Sequence, residues 1–428
     1  MELKSGYKQT EVGAIPVDWD VVQLGNLNPF VTSGSRGWAS FYSEHGDLFV
    51  RITNMSRESI YLDLVDSKYV RVPRDSSEGV RTQLQEHDVL ISITADIGIV
   101  SYVDARVPFP AYINQHIALV RFDPELVNGK FVSYFLAADG AQRNFRAKTD
   151  NGAKASMSLG GVAKIQAALP PHSEQSAIAE ALGDVDSLLS SLDALVAKKR
   201  DLKQAAMQQL LTGKTRLSGF VVKAGCKQTE VGVIPEDWEV RRIGEVATAK
   251  DGTHQTPKYV AVGVPFYSVE QVTSGDFDNT KFISVEEHKF LTRSFRMEKG
   301  DVLMTRIGSI GDCKLIDWDV DASFYVSLAL LKIRGASPAY FEQYSKTHAF
   351  KSEVELHSLA SAIPKKINLG PISDVRIVLP PPAEQSAIAE VLSDMDAELM
   401  ELQARRDKTR LLKQGMMQEL LTGKTRLM

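Results

Sequence analysis

A few short stretches of this 428-residue chain carry residue types that could do chemistry. Gly213-Lys214-Thr215 has the ending of a phosphate-binding loop, but Gln208 stands where that loop needs its first glycine. The segment also follows a helical run, whereas a nucleotide loop follows a strand, so it reads as a helix stop. Asn28-Pro29-Phe30 lacks one proline of the Asn-Pro-Pro-aromatic motif of adenine methyltransferases, and no glycine-rich cofactor loop precedes it. The 8 histidines include no His-Glu-x-x-His pair, and with Cys226 and Cys313 as the 2 cysteines no Cys/His set has metal-ligand spacing. No catalytic site, metal or cofactor is expected. So few cysteines give no disulfide framework, and a reducing cytoplasm is the expected setting.

The polar segments read either as ordinary solvated loops or as recognition surfaces. Lys250-Asp251-Gly252-Thr253-His254-Gln255-Thr256-Pro257-Lys258-Tyr259 is a loop rich in donors and acceptors, shaped by Gly and Pro. Lys148 to Lys154, and Ser361 to Asn368 with Lys365-Lys366, occupy equivalent places before a Leu-Pro-Pro. Amides and guanidiniums distinguish base edges, while Lys, Ser, Thr and backbone N–H groups hold phosphates. Between Asp20 and Ala168 there are 10 Arg against 5 Lys, and Arg is the better bidentate reader. Yet the whole chain has a net charge of −4, far from the basicity of a sequence-independent nucleic-acid coat. Any nucleic-acid partner must be held by local charge or with the help of other subunits.

The elements that would position these segments come in two copies. Gln9 to Gly13 returns as Gln228 to Gly232, and Ile15-Pro16 with Asp18-Trp19 returns as Ile234-Pro235 with Asp237-Trp238. Leu169 to Leu217 matches Leu379 to Leu427 at 31 of 49 positions, too many for chance. The matched blocks enclose divergent inserts, roughly Asp20 to Ala168 and Glu239 to Val378, the first 9 residues the longer. Each frame after its Pro pair predicts one long helix. Ser173 or Ala383 lies near the N-cap and Glu174 or Glu384 in the first turn. Ile178, Leu182, Val185, Leu189, Leu192 and Val196 step by four and three, as do Ile388, Leu392, Met395, Leu399 and Leu402. Some 40 residues at 1.5 Å each give a rod about 60 Å long, and two such seams are expected to bury each other in an antiparallel pair. Basic runs (Lys198-Lys199-Arg200 with Lys203; Arg405-Arg406 with Lys408, Arg410 and Lys413) read either as solvated faces or as partner-docking surfaces.

Within the inserts, Asp88 to Ile93 and Asp301 to Thr305 predict strands, followed by turns at Asp96-Ile97-Gly98 and Ser309-Ile310-Gly311. Ile117 to Val120 and Leu328 to Leu331 predict second buried strands, and Phe131 to Ala138 and Ala339 to Thr347 predict helices. The expected class is α+β: two mixed α/β inserts separated by two long antiparallel helices packed as a coiled coil, pseudo-two-fold symmetric. The expected divisions are 1–168, 169–217, 218–378 and 379–428. No stretch approaches the ~18–20 apolar residues of a membrane span, and Met1 to Tyr7 has no secretory signal.

Leu-Pro-Pro, Glu-Gln-Ser-Ala-Ile-Ala-Glu, a long helix and Leu-Leu-Thr-Gly-Lys-Thr-Arg-Leu, all duplicated, resemble the specificity subunit of type I restriction–modification enzymes. Val-Gly-x-Ile-Pro-x-Asp-Trp at Val12 to Trp19 and Val231 to Trp238 fits as well, and the match covers essentially the entire chain. The resemblance implies two target-recognition domains, each reading one half of a split site in double-stranded DNA. It implies helices that set the separation and bind two methyltransferase subunits, restriction subunits in the larger assembly, and no chemistry in this subunit. The DNA-contact candidates in the first insert are Arg36, Arg51, Asn114, Gln115, Lys148, Asn151 and Lys154. In the second they are Lys250, Thr253, His254, Gln255, Lys258, Tyr259, Arg306, Lys365 and Lys366. Near-neutral inserts, 15 basic against 16 acidic and 18 against 18, predict weak DNA binding by the isolated chain. Two other classes stay open at this point: a coiled-coil scaffold whose inserts bind proteins, and an enzyme with its own nuclease or methyltransferase site.

Overall fold

The structure, a computed structural model, describes residues 5–34, 36–73, 75–149, 156–220, 225–359 and 362–427, without the side chains of Ala39, Asn144 and 146–149. The fold is α+β. It divides into two compact units, Met1–Asp193 with Ala404–Met428, and Ala194–Gln403. This grouping cuts each long helix near its middle, so each unit combines one insert with part of both helices.

Continuous apolar runs set the central strands. Val89, Leu90 and Ile91 are fully buried, as are Ile117 to Val120, so these strands are covered on both faces. In the first unit a four-stranded antiparallel sheet has the order Phe30–Ser33, Ile117–Arg121, Val89–Ser92, Val100–Tyr102. In the second, Ala247–Asp251, Leu328–Ile333, Val302–Thr305 and Cys313–Leu315 take the same order. A second four-stranded sheet also recurs. Tyr42–Ser43, Lys68–Val70, Asp47–Val50 and Ala111–Ile113 match Tyr259–Val260, Lys281–Ile283, Val264–Tyr267 and Ser323–Phe324, the last pair parallel in both units. The turns after the central strands fall where the glycines stand, with Gly98 at φ 88 and Gly311 at φ 81. The predicted insert helices run Gly129–Ala137 and Pro338–Ser345, capped by Asn128 and Ser337.

The long helices span His172–Leu210 and Pro382–Leu420. In the first unit Ile178 and Leu182 share the core with Leu420 and Leu421; in the second Ile388 and Leu392 share it with Leu210 and Leu211. Burying each such side chain contributes about 1.5–3 kcal/mol. Ion pairs set the register. In the first unit Glu174 meets Arg426 (2.7 Å), Asp186 meets Lys413 (2.6 Å) and Asp193 meets Arg406 (3.6 Å). In the second, Lys199 meets Glu398 (2.5 Å), Lys203 meets Asp396, and Arg216 meets Glu384 (2.5 Å). Rising numbers meet falling ones, so the helical segments within each unit run in opposite directions.

The Thr-Gly-Lys-Thr-Arg-Leu ends are fasteners. Gly213 and Gly423 sit at φ +69 and +68, and a Cβ on either would lie 2.4 Å from Pro235 or Pro16. Glycine alone meets both conditions. The chain then turns so that Arg216 bridges Asp237 and Glu384, and Arg426 bridges Asp18 and Glu174. The hydrogen bonds that Arg216 donates to Asp237 and Glu384 raise it above the usual guanidinium range. Each arginine also faces a fully buried tryptophan, Trp238 or Trp19. This accounts for the repeated Asp-Trp and Thr-Arg-Leu blocks: they clasp each other.

Candidate nucleic-acid interface

At one end of the second unit's antiparallel sheet four segments meet through backbone hydrogen bonds. Arg306 N donates to Ser327 O (2.9 Å), Ile367 N to Arg306 O (2.9 Å) and Gly308 N to Lys365 O (2.8 Å). Val326 N donates to Thr253 O (3.0 Å), and Ile307 pairs with Lys366 in an isolated bridge. The first unit repeats the arrangement. Ile93 N donates to His116 O (2.9 Å), Met157 N to Ile93 O (2.8 Å), and Thr94 pairs with Ser156.

Side chains that hold this end together are matched between the units. Ser92 and Thr305 accept from Ile99 N and Asp312 N. Asn54 and Gln271 accept from Arg51 N and Ser268 N (2.9 and 2.8 Å). Gly34 and Gly252 leave their strands where a Cβ would lie 2.1 Å from the backbone oxygen of Asn114 or Phe324, so only glycine fits. The opposite end, where the central strands begin, is matched too: Asp88 and Asp301 cap Gln85 N and Glu298 N at 2.7 and 2.8 Å, and each is ion-paired, to Arg121 and Lys332. The side chains carried on this common frame differ. Arg51, Ile93, Asn114, Gln115 and His116 occupy the stations of Ser268, Arg306, Tyr325, Val326 and Ser327. One frame with unlike side chains can present two different donor and acceptor patterns.

The sequence-nominated residues distribute as follows. In the second unit Thr253, His254, Arg306 and Lys366 come together, and Lys250, Gln255, Lys258 and Tyr259 are exposed beside them in sequence. Lys281 lies 4.8 Å from the Tyr259 ring, and Lys365 is paired with Glu355. Arg306 is buried: its Nε donates to Ile367 O (3.2 Å) and its Nη1 to Asp251 (3.3 Å). In the first unit Arg36 is exposed just beyond Gly34. Arg51 donates to Asp66 O (3.0 Å), while its buried Nε has no partner among the described residues. Asn114 is buried and accepts from His116 N (3.1 Å), and Gln115 is half-buried with its Nε2 3.0 Å from His116 Nε2. Asn151, Lys154 and the side chain of Lys148 lie outside the described residues.

Sequence reasoning missed Asp251, Thr94 and His116, which belong to the same clusters. Their signal was adjacency to nominated residues. Burial pushes the Asp251 carboxyl up, but the hydrogen bond from His254 and the charges of His254 and Arg306 hold it below the usual carboxylate range. Burial pushes the Cys313 thiol up to about 12, which suits a packed thiol rather than a nucleophile. Among the described residues no group of three or more His, Cys, Asp and Glu could hold a metal ion, and no helix is long and apolar enough to cross a membrane.

Comparison with known proteins gives a consistent result. Residues 16–198 and 235–410 match the family described as type I restriction modification DNA specificity domain. The MjaX type I restriction enzyme specificity subunit of Methanocaldococcus jannaschii is 24% identical over 435 residues, covering 99% of this chain and 97% of that protein. The MjaVIII specificity subunit of the same organism is 28% identical over 274 residues, covering 61% of this chain and 63% of the relative. The crystal structure of the type I restriction-modification S subunit from M. genitalium has the same fold, with a TM-score of 0.62, 13% identity and 98% coverage of both chains.

Proposed function

The chain belongs to the type I restriction modification DNA specificity family, and from that premise we propose that it directs a methyltransferase complex to a split DNA site. Each insert, about 20–168 and 239–378, reads one half of the site from the sheet end described above. The two long helices form an antiparallel coiled coil that fixes the distance between the halves and docks two methyltransferase subunits. Restriction subunits join the larger assembly, and this subunit performs no catalysis.

The observation that carries the reading is the shared frame with unlike side chains: Gly34 and Gly252, and Ser92 and Thr305, hold matching places, while the stations at 51, 93 and 114–116 differ from 268, 306 and 325–327. A scaffold for two protein partners gives no reason for the same frame to offer alternative sets of base-edge donors and acceptors. Phosphate contacts orient such a reader and base-edge contacts specify it. The near-neutral inserts leave nonspecific affinity to the assembled complex.

The test is to replace residues 20–168 with the corresponding insert of a relative and to map the methylated motif of cells carrying the chain and its methyltransferase subunits. One half of the motif changes while the other half and the gap persist. A change in both halves, or in neither, contradicts modular reading.

A further inference from the structure

The sheet of the second unit ends in a carboxylate. Asp251 is the last residue of the strand Ala247–Asp251, and its side chain is 32% exposed. Its Oδ2 accepts from His254 Nε2 at 2.8 Å and from Arg306 Nη1 at 3.3 Å. No side chain of another described residue is placed to donate to Oδ1. Arg306 is itself anchored from behind by Ile367 O, so the carboxylate is held in one orientation rather than free to swing. Two donors on one oxygen leave the other as an aimed acceptor.

His254 and Arg306 stabilise the charge of this carboxylate in place. Lys250, Gln255 and Lys258 are exposed near it in sequence, a composition suited to phosphates, which a carboxylate repels. The ion pair with the buried Arg306 gives the carboxylate one role. In the first unit Ile93 stands at the station of Arg306 and Ser33 at that of Asp251, so both members of the pair are absent together and the frame itself does not require it.

We propose that Asp251 is a base-reading residue of the second insert, its Oδ1 accepting from an exocyclic amino group in the major groove, cytosine N4 or adenine N6, with Arg306 and His254 as positioning residues. A carboxylate can only accept, so it selects bases that present an amino donor there. Ser33, at the same station of the first insert, both donates and accepts, so the two halves differ in stringency at this position. The inference rests on the DNA-reading function proposed above.

The experiment uses the full chain assembled with its methyltransferase subunits. In the wild-type motif one position of one half is an invariant cytosine or adenine that Asp251→Asn renders degenerate, leaving the gap and the other half intact. Binding is then measured on a duplex in which the amine at that position is removed, with 2-pyrimidinone for cytosine or purine for adenine. The wild-type complex loses on the order of tenfold to a hundredfold in affinity, and the variant loses less than about threefold. Whichever analogue weakens binding identifies the base. Asp251→Glu, which keeps the charge but moves the oxygens, also loses discrimination and serves if the Asn variant does not assemble. His254→Ala weakens binding without changing the preferred base. An unchanged motif in both Asp251 variants, or wild-type binding indifferent to the missing amine, overturns the proposal, and so does a changed base preference in His254→Ala. A wild-type complex with no split motif instead removes the DNA-reading function itself, so the two failures are distinguishable.

Discussion

Arg216 and Arg426 make the same clasp in different surroundings, and the difference sets an order of energies. Around Arg216 the side-chain exposures are 9% for the arginine, 6% for Asp237 and 0% for Glu384. Around Arg426 they are 28%, 52% for Asp18 and 4% for Glu174. Arg216→Met takes the arginine from two buried carboxylates, Glu384 keeping the Trp238 Nε1 donation (3.0 Å), and costs about 3–5 kcal/mol. Arg426→Met strands the one buried carboxylate, Glu174, leaves Asp18 free to hydrate and costs less, roughly 1–3 kcal/mol. Urea unfolding gives the total, and hydrogen exchange followed by mass spectrometry assigns it. Protection is lost around Trp238 and Leu379 in the first variant and around Trp19 and Leu169 in the second. Equal losses, or a larger loss for Arg426→Met, would refute the argument from burial.

Further outcomes follow from the same reasoning. Burial alone would raise the Asp396 carboxyl, but the Lys203 hydrogen bond, the Lys346 charge and the Gln343 hydrogen bond hold it below the usual range. It therefore contributes stability at neutral pH that is lost as pH falls through its depressed pKa, below about 3.9. Asp396→Asn costs about 1 kcal/mol at pH 7 and flattens the acid limb of the denaturation midpoint against pH; an unaltered acid limb counts against the pairing. Inserting one heptad into both long helices lengthens the proposed ruler by about 10 Å, about three base pairs. The methylated motif then shows a longer gap, or binding is lost if the accompanying rotation of about 100° cannot be absorbed. An unchanged gap with unchanged affinity would rule out the ruler.

Much of the fold was legible because its signals are local. The runs at Val89 to Ile91 and Ile117 to Val120 are continuous and apolar, so they declared buried strands, and the Ile178 and Ile388 seams declared helices. The second sheet was not legible: its strands are two to four residues long, and their pairing depends on closures distant in sequence. The role of the Thr-Gly-Lys-Thr-Arg-Leu ends was half read. Glycine announced a stop, but the partners of the arginine, Asp237 with Glu384 and Asp18 with Glu174, lie 21 to 408 residues away along the chain. The same applies to Arg306. Its position after a strand marked it as a candidate, whereas its burial against Asp251 and Ile367 is set by tertiary contacts that composition does not encode. Asp251 went unnoticed because acidic residues argue against DNA until a neighbouring arginine and histidine are seen to hold them.

The most direct measurement is the methylome of cells expressing this chain with its methyltransferase subunits. The account predicts one motif of two unlike halves separated by a constant number of unspecified bases. A continuous motif, a motif of two identical halves, or no methylation that depends on this chain would contradict it.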